Sequence, residues 1–509
     1  MKRPFRLPCD GLASESVCFH PSSLCLFVES LEEDLGFLFK DQSLQTANEY
    51  AQSAQIAHEQ DHLLRILSTS YGYIRHVVDC CLTWFLLESA SDGLKQGVKT
   101  IFPLLNSFSK DAQDIPLPYK ISQVELIKLR DNYHYRYLMH YIGFEEFVRS
   151  LDGFEPKVDS EMAVWGAQLL QGFLCENPSH RTRIYDQKPG SEFISIFYNP
   201  LHSSCPYFEG KRLGAFHLLE TLGFLMEVLV GGVAKIDPES WDEMVSDPLY
   251  GMTFKIFRDY LFQNKPYYGR GLPIEWEAAL ELSLWIPISP FGFIGSYQIE
   301  WRDIHPGWRY IKIIEYLAQC KEKWTEPSTL DFESFDKSIT EIQNRMCQAL
   351  GWPMVSEIIA SWQRISEIHY SEIHIPFLFG DHPRRRFLSS MMSLRNSFPF
   401  TAYINKEASF VTESAPSFPG IIANDKDIPL ESSTWKNSSG KMLNMAEFHI
   451  FKGIQGLAHG FDKYYEIQDR HSEDMLRILN SISRSRNYNL EKHISQYLSD
   501  HFDVNDTLT

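Results

Sequence analysis

The chain lacks the marks of several large protein classes. It has no disulfide framework: its nine cysteines are an odd number and none stands in a C-x-x-C pair. The adjacent Cys80 and Cys81 and the scattered Cys9, Cys18 and Cys25 match neither a stapled secreted domain nor a four-thiolate zinc site. Reduced thiols in a cytoplasmic protein are the expectation. No apolar stretch follows the basic residues of the opening MKRPFRLPCDGLASES, so no signal peptide is expected. Positive charge is in deficit. The formal net charge of −18 opposes association with nucleic-acid phosphates, and the one basic cluster, Arg384, Arg385 and Arg386, reads as a solvated loop. A phosphate-cradling glycine loop, a nucleophile elbow, a dinucleotide fingerprint, an internal repeat and a heptad array are all missing.

One run, Leu213 to Ala234, is long enough to cross a bilayer. It also carries His217, Glu220 and Glu227, each costly in hydrocarbon. The expectation is therefore a buried helix with polar groups, and neither a membrane nor a nucleic acid is expected as partner.

What the chain does have is core material. Hydrophobic residues make up 44% and aromatics 14% of 509 residues, enough for more than one core. The predicted class is mainly α with a small N-terminal β element. Ser16 to His20 and Leu24 to Val28 are short β-like runs within an N-terminal segment, 1–45. Helical periodicity then sets in over 46–260, with predicted helices at Ala47 to Arg75, Asp79 to Ser91, Gln123 to Arg149, Asp159 to Cys175 and Leu213 to Val233. A mixed loop and helical region follows over 261–400. Within it Pro266 to Trp308, rich in Pro, Gly and Trp, predicts packed loops with short helical turns. Phe335 to Ile368 predicts helix, broken at Gly351-Trp352-Pro353. Residues 401–444 read as a polar loop or linker, and 445–509 as a closing helical segment.

The chemistry sits in His58-Glu59-Gln60-Asp61-His62. Two histidines four positions apart on a helix share one face, about one turn apart, where both imidazoles reach the same ion. Neutral imidazoles leave zinc Lewis-acidic. Glu59, one position on, would lie beside such an ion, where it can take a proton from an activated water and pass it to a leaving group. The apolar neighbours Ile56, Ala57, Leu63 and Leu64 suit a buried catalytic helix, and Ser68-Thr69-Ser70-Tyr71-Gly72 ends or bends it.

A catalytic zinc needs a third protein ligand and an open position. Glu220 is polar within the most apolar helix of the chain, where a bare carboxylate needs a metal or an arginine. Asp79, closer in sequence, is its main rival. His217 is a further candidate, and Glu227 could orient a ligand histidine. Tyr133-His134-Tyr135-Arg136-Tyr137 with His140-Tyr141 could polarise a carbonyl but reads more simply as core aromatics. Glu367 to His374 reads as a half-buried strand or a helix end.

HEQDHLLRILSTSYG, His58 to Gly72, resembles the H-E-[aromatic]-x-H-x-x-Q-x-x-x-T-x-Y-G block of a group of bacterial zincin-like proteins. Gly214, Glu220, Gly223 and Glu227 resemble that group's second block, G-x-x-x-x-x-E-x-x-A/G-x-x-x-E. Gln60 and Arg65 depart from the aromatic and the Gln of the first block. The resemblance covers about a tenth of the chain. It implies a gluzincin-type metallopeptidase, with a zincin-like helical core over 46–260 and large helical additions. His58, His62 and Glu220 would be the zinc ligands, Glu59 the base, and a protein or peptide the substrate. Two other functions fit the residues: a non-catalytic interaction protein on a zincin scaffold, and a zinc amidase acting on a small substrate.

Overall fold

The structure is a computed structural model. It describes residues 17–20, 25–28, 58, 59, 61, 62, 65, 66, 69–72, 206–208, 211–230, 250–262, 274–289, 292–294, 300–320, 332–367 and 420–423. These residues are mostly helical. The expected helices over 79–91, 123–149 and 159–175 and the closing segment over 445–509 lie outside them. So do Asp79, the aromatic cluster over 133–141, residues 368–374 and the arginines at 384–386.

Strands β1 (Val17–His20) and β2 (Cys25–Val28) pair antiparallel, with Val17 opposite Val28 and His20 opposite Cys25. They start one residue later than the sequence suggests. Two-residue strands form the small hairpins β3 (Tyr207–Phe208) with β4 (Lys211–Arg212) and β5 (Ile288–Ser289) with β6 (Gly292–Phe293). Strand β7 (Gly420–Ala423) joins β2 in parallel. It lies inside the stretch expected as loop or linker, where GIIA is a short apolar run in a polar surround.

Seven helices carry the rest of the described chain: α1 (Ala215–Val230), α2 (Tyr250–Phe262), α3 (Ile274–Ser283), α4 (Trp301–Ile304), α5 (Pro306–Gln319), α6 (Phe332–Leu350) and α7 (Val355–Glu367). Helix α3 is central and packs against α1, α5 and α6, while α5 also packs against α2 and α4. The three-turn α3 corrects the expectation of packed loops over 266–308. Nine of its ten residues are buried, from Ile274 to Ser283, and Glu277 is partly exposed. A helix buried on almost all of its surface shows no amphipathic period to read. None of the helices among the described residues is long and apolar enough to cross a membrane.

Polar contacts join these helices inside the core. Trp276 Nε1 donates to Tyr310 Oη at 2.7 Å, and Tyr310 Oη donates to the Thr253 carbonyl at 2.7 Å, linking α3, α5 and α2. Thr221 and Thr253 share a hydroxyl hydrogen bond of 2.6 Å between α1 and α2. Each satisfies groups whose burial unpaired would be expensive.

Arg309 is fully buried and draws on neighbours other than side-chain carboxylates. Its guanidinium donates to the carbonyls of Asp303 at 2.8 Å and Leu282 at 2.9 Å and lies 3.9 Å over the Trp352 ring. Both carbonyls sit in last helical turns, where backbone acceptors lack intrahelical partners and a cation is favoured. Burial still lowers its pKa to about 10, against the pull of Cys347 and Asp303.

The ends of the helices follow from local sequence. His305 caps α5, accepting from Trp308 N–H at 3.4 Å, with Pro306 in the first turn, a position where its missing N–H costs nothing. Helix α6 closes at Gly351 with φ of +68°. Trp352 N–H donates to the Cys347 carbonyl at 2.8 Å and Gly351 N–H to the Gln348 carbonyl at 3.4 Å. That pairing needs a left-handed residue at Gly351, and Pro353 follows. Among the described cysteines, Cys320 and Cys347 are free thiols.

Candidate metal centre

Two segments build the site. His58, Glu59, Asp61, His62, Arg65 and Ile66 are helical, so His58 and His62 share a face, with ring centroids 4.7 Å apart and planes 85° to one another. From the other side α1 brings Glu220. Its Oε2 lies 3.3 Å from His58 Nε2 and its Oε1 lies 3.3 Å from His62 Nε2. His58, Glu59, His62 and Glu220 are all at most 4% exposed.

Potential ligand atoms of His58, Glu59 and His62 lie within 4.8 Å of one another, so this buried group could hold a metal ion. Three observations fit a cation there. First, the buried His62 Nε2 makes no hydrogen bond, even with Oε1 at 3.3 Å, so the nitrogen does not aim an N–H along that line. Second, the donor set of two imidazoles and carboxylates suits a divalent transition ion. Third, a Cβ at Gly223 would stand 2.8 Å from His58 Cδ2, His58 Nε2 and His62 Cε1, so the backbone of α1 comes right up to the rings.

Glu220 is ionised. Burial alone would raise its pKa, but His62 and His58 beside it hold it down at about 2. Both of its carboxylate oxygens face imidazoles. His217 has another task. Its Nδ1 accepts the Gly214 N–H at 3.4 Å, reaching back over the first turn of α1 as a capping-box side chain does. Glu227 belongs to α1, but its side chain is outside the described residues.

The sequence reading missed the charge cluster behind the motif. Arg65 Nε donates to Asp61 Oδ2 at 2.7 Å, and Arg65 Nη1 lies 3.5 Å from Glu281 Oε1 on α3. Gln343 of α6 donates to Glu281 Oε2 at 3.4 Å. Burial works against the Arg65 charge, but Asp61 and Glu281 outweigh it and raise its pKa. Glu277, one turn before Glu281, is pushed up to about 8, by burial first and then by Glu281 and Asp61, against Arg65. The signal was an i,i+4 pair, Asp61 and Arg65, facing another, Glu277 and Glu281, in a segment taken for loop. Past the motif, Ser70 Oγ and Tyr71 N–H both donate to the Leu284 carbonyl, at 3.3 and 3.1 Å. The motif segment is thus tied to α3 at two levels.

Comparison with profiles of protein families finds no match. Comparison with curated proteins finds none, and comparison with solved structures finds none.

Proposed function

We propose that the chain is a zinc-dependent hydrolase of the zincin-like, gluzincin type, a metallopeptidase acting on a protein or peptide in the cytoplasm. His58, His62 and Glu220 are its ligands and Glu59 its general base. One observation carries the reading: both imidazole Nε2 atoms stand 3.3 Å from an oxygen of the same carboxylate. Ligand atoms on a tetrahedral zinc with bonds of about 2.0–2.1 Å stand about 3.3 Å apart, so these spacings suit a shared ion.

In this reading His58 and His62 supply neutral nitrogens, and Glu220 supplies the anion that offsets the ion's charge. Bound zinc would contribute a Lewis acid and a water of lowered pKa. Glu59, buried beside the two imidazoles, would accept a proton at its carboxylate and return one to the leaving amine. Asp61 and Arg65, three and seven positions after His58 on the same helical face, tie the motif segment to Glu281 of α3.

A second reading has its own support. Side chains no more than 4% exposed suit a metal that stabilises a non-catalytic interaction scaffold, because structural sites are closed and catalytic ones keep a position open.

Elemental analysis of the purified full chain tests the metal. About one zinc per chain is expected, and none in a His58→Ala, His62→Ala double variant; full occupancy in that variant would overturn the site. Cobalt-substituted protein separates the two readings. A hydroxamate that shifts the visible spectrum reports an open coordination position and favours the hydrolase. An unshifted spectrum favours the structural metal.

A further inference from the structure

We propose that Gly223 is a positioning residue of this centre: its missing Cβ sets how closely α1, and Glu220 with it, approaches His58 and His62. The inference rests on the metal reading above and adds a residue that touches the ligands without being one.

The resembling block takes alanine or glycine at this position. In this chain the imidazole rings stand too close for alanine, which accounts for a glycine that lowers the stability of a buried helix relative to alanine. Gly223 follows Glu220 by three positions and therefore lies on the same face of α1. A Cβ built on it would meet three ring atoms at 2.8 Å, two of His58 and one of His62. Carbon atoms do not approach that closely without displacement. The rings have little freedom to yield. They meet edge to face at 4.7 Å, so a ring that swings from the added carbon is pushed toward its partner or off its line to Glu220. The other escape moves α1 outward and carries the Glu220 carboxylate with it. Elsewhere α1 is held by the Thr221–Thr253 hydrogen bond to α2 and by packing on α3. Either route lengthens the 3.3 Å spacings, and a zinc site tolerates only a few tenths of an ångström.

The same contact predicts a reversal of sign. Where the imidazoles are present, alanine at 223 is strained. Where they are removed, it is simply a better helix former in an apolar helix.

The experiment uses the full chain. Zinc affinity is measured by competition with a chromophoric chelator, and cobalt spectra and thermal midpoints of metal-free protein are recorded alongside. Gly223→Ala is expected to weaken zinc at least tenfold, to alter the cobalt spectrum and to lower the midpoint. In the His58→Ala, His62→Ala background the same substitution is expected to raise the midpoint. That background also serves if Gly223→Ala alone does not fold. Unchanged zinc affinity and an unchanged cobalt spectrum in Gly223→Ala would overturn the proposal, as would an equal fall in midpoint in both backgrounds. Absence of zinc from the wild-type chain would instead overturn the metal reading. The midpoint reversal would then still decide whether Gly223 brings α1 against the imidazoles.

Discussion

At the scale of single residues, Glu59 is the place to test the proposed division between ligand and base. Its carboxylate lies among the potential ligand atoms of His58 and His62 and is buried. A base must be a proton acceptor next to the ion, whereas a ligand must be a donor on it. Glu59→Gln removes the first property and keeps most of the shape. The expected outcome is a full zinc complement and turnover lowered by about a hundredfold or more, measured as metal content beside product formation on a mixed peptide library. Loss of the metal together with activity would make Glu59 a ligand instead. The spacing of His58 and His62 was legible in the sequence because a helix fixes which residues share a face. The carboxylate facing them was legible only as a choice. Glu220 and Asp79 were both open, and only three-dimensional convergence brings a side chain across 162 positions to His58.

At the scale of elements, the docking of the motif segment on α3 puts the buried Asp61, Arg65 and Glu281 into one cluster with the half-buried Glu277. Between the ordinary carboxylate value of 4.5 and its folded value of about 8, Glu277 holds a proton in the folded chain that the unfolded chain has released. Its contribution to stability is therefore complete below about 4.5 and is lost as pH rises through about 8. Glu277→Gln removes that dependence. Urea melts at pH 5 and pH 8 are expected to show wild type losing more stability than the variant on going to the higher pH; parallel losses would remove Glu277 from the account. Legibility differed between elements for physical reasons. The break between α6 and α7 was readable because Gly351 and Pro353 act locally, one by its left-handed backbone and the other by its missing N–H. Helix α3 was unreadable because its burial comes from α1, α5 and α6, which no local pattern encodes.

At the scale of the whole molecule, the described helices form one polar-stitched core around α3, and the candidate centre lies between that core's α1 and the motif segment. Apolar periodicity conveyed the mainly helical character. It did not convey Arg309, whose buried charge rests on carbonyls at the ends of α3 and α4 and on the Trp352 face between α6 and α7. Such a cation becomes intelligible only once α3 and α4 are seen to end at the same place.

The burial of the four site residues, at most 4% exposed, carries a kinetic consequence. A chelator cannot touch an ion held between α1 and the motif segment until those parts separate, and separation is a property of the protein alone. Zinc should therefore leave in a first-order process whose rate levels off as chelator concentration rises, the plateau being the frequency with which the centre opens. Gly223→Ala, by loosening the contact, is expected to raise that plateau. Stopped-flow or manual mixing with increasing EDTA measures it directly, and a rate that climbs linearly with EDTA throughout would mean that the ion is already within reach of solvent.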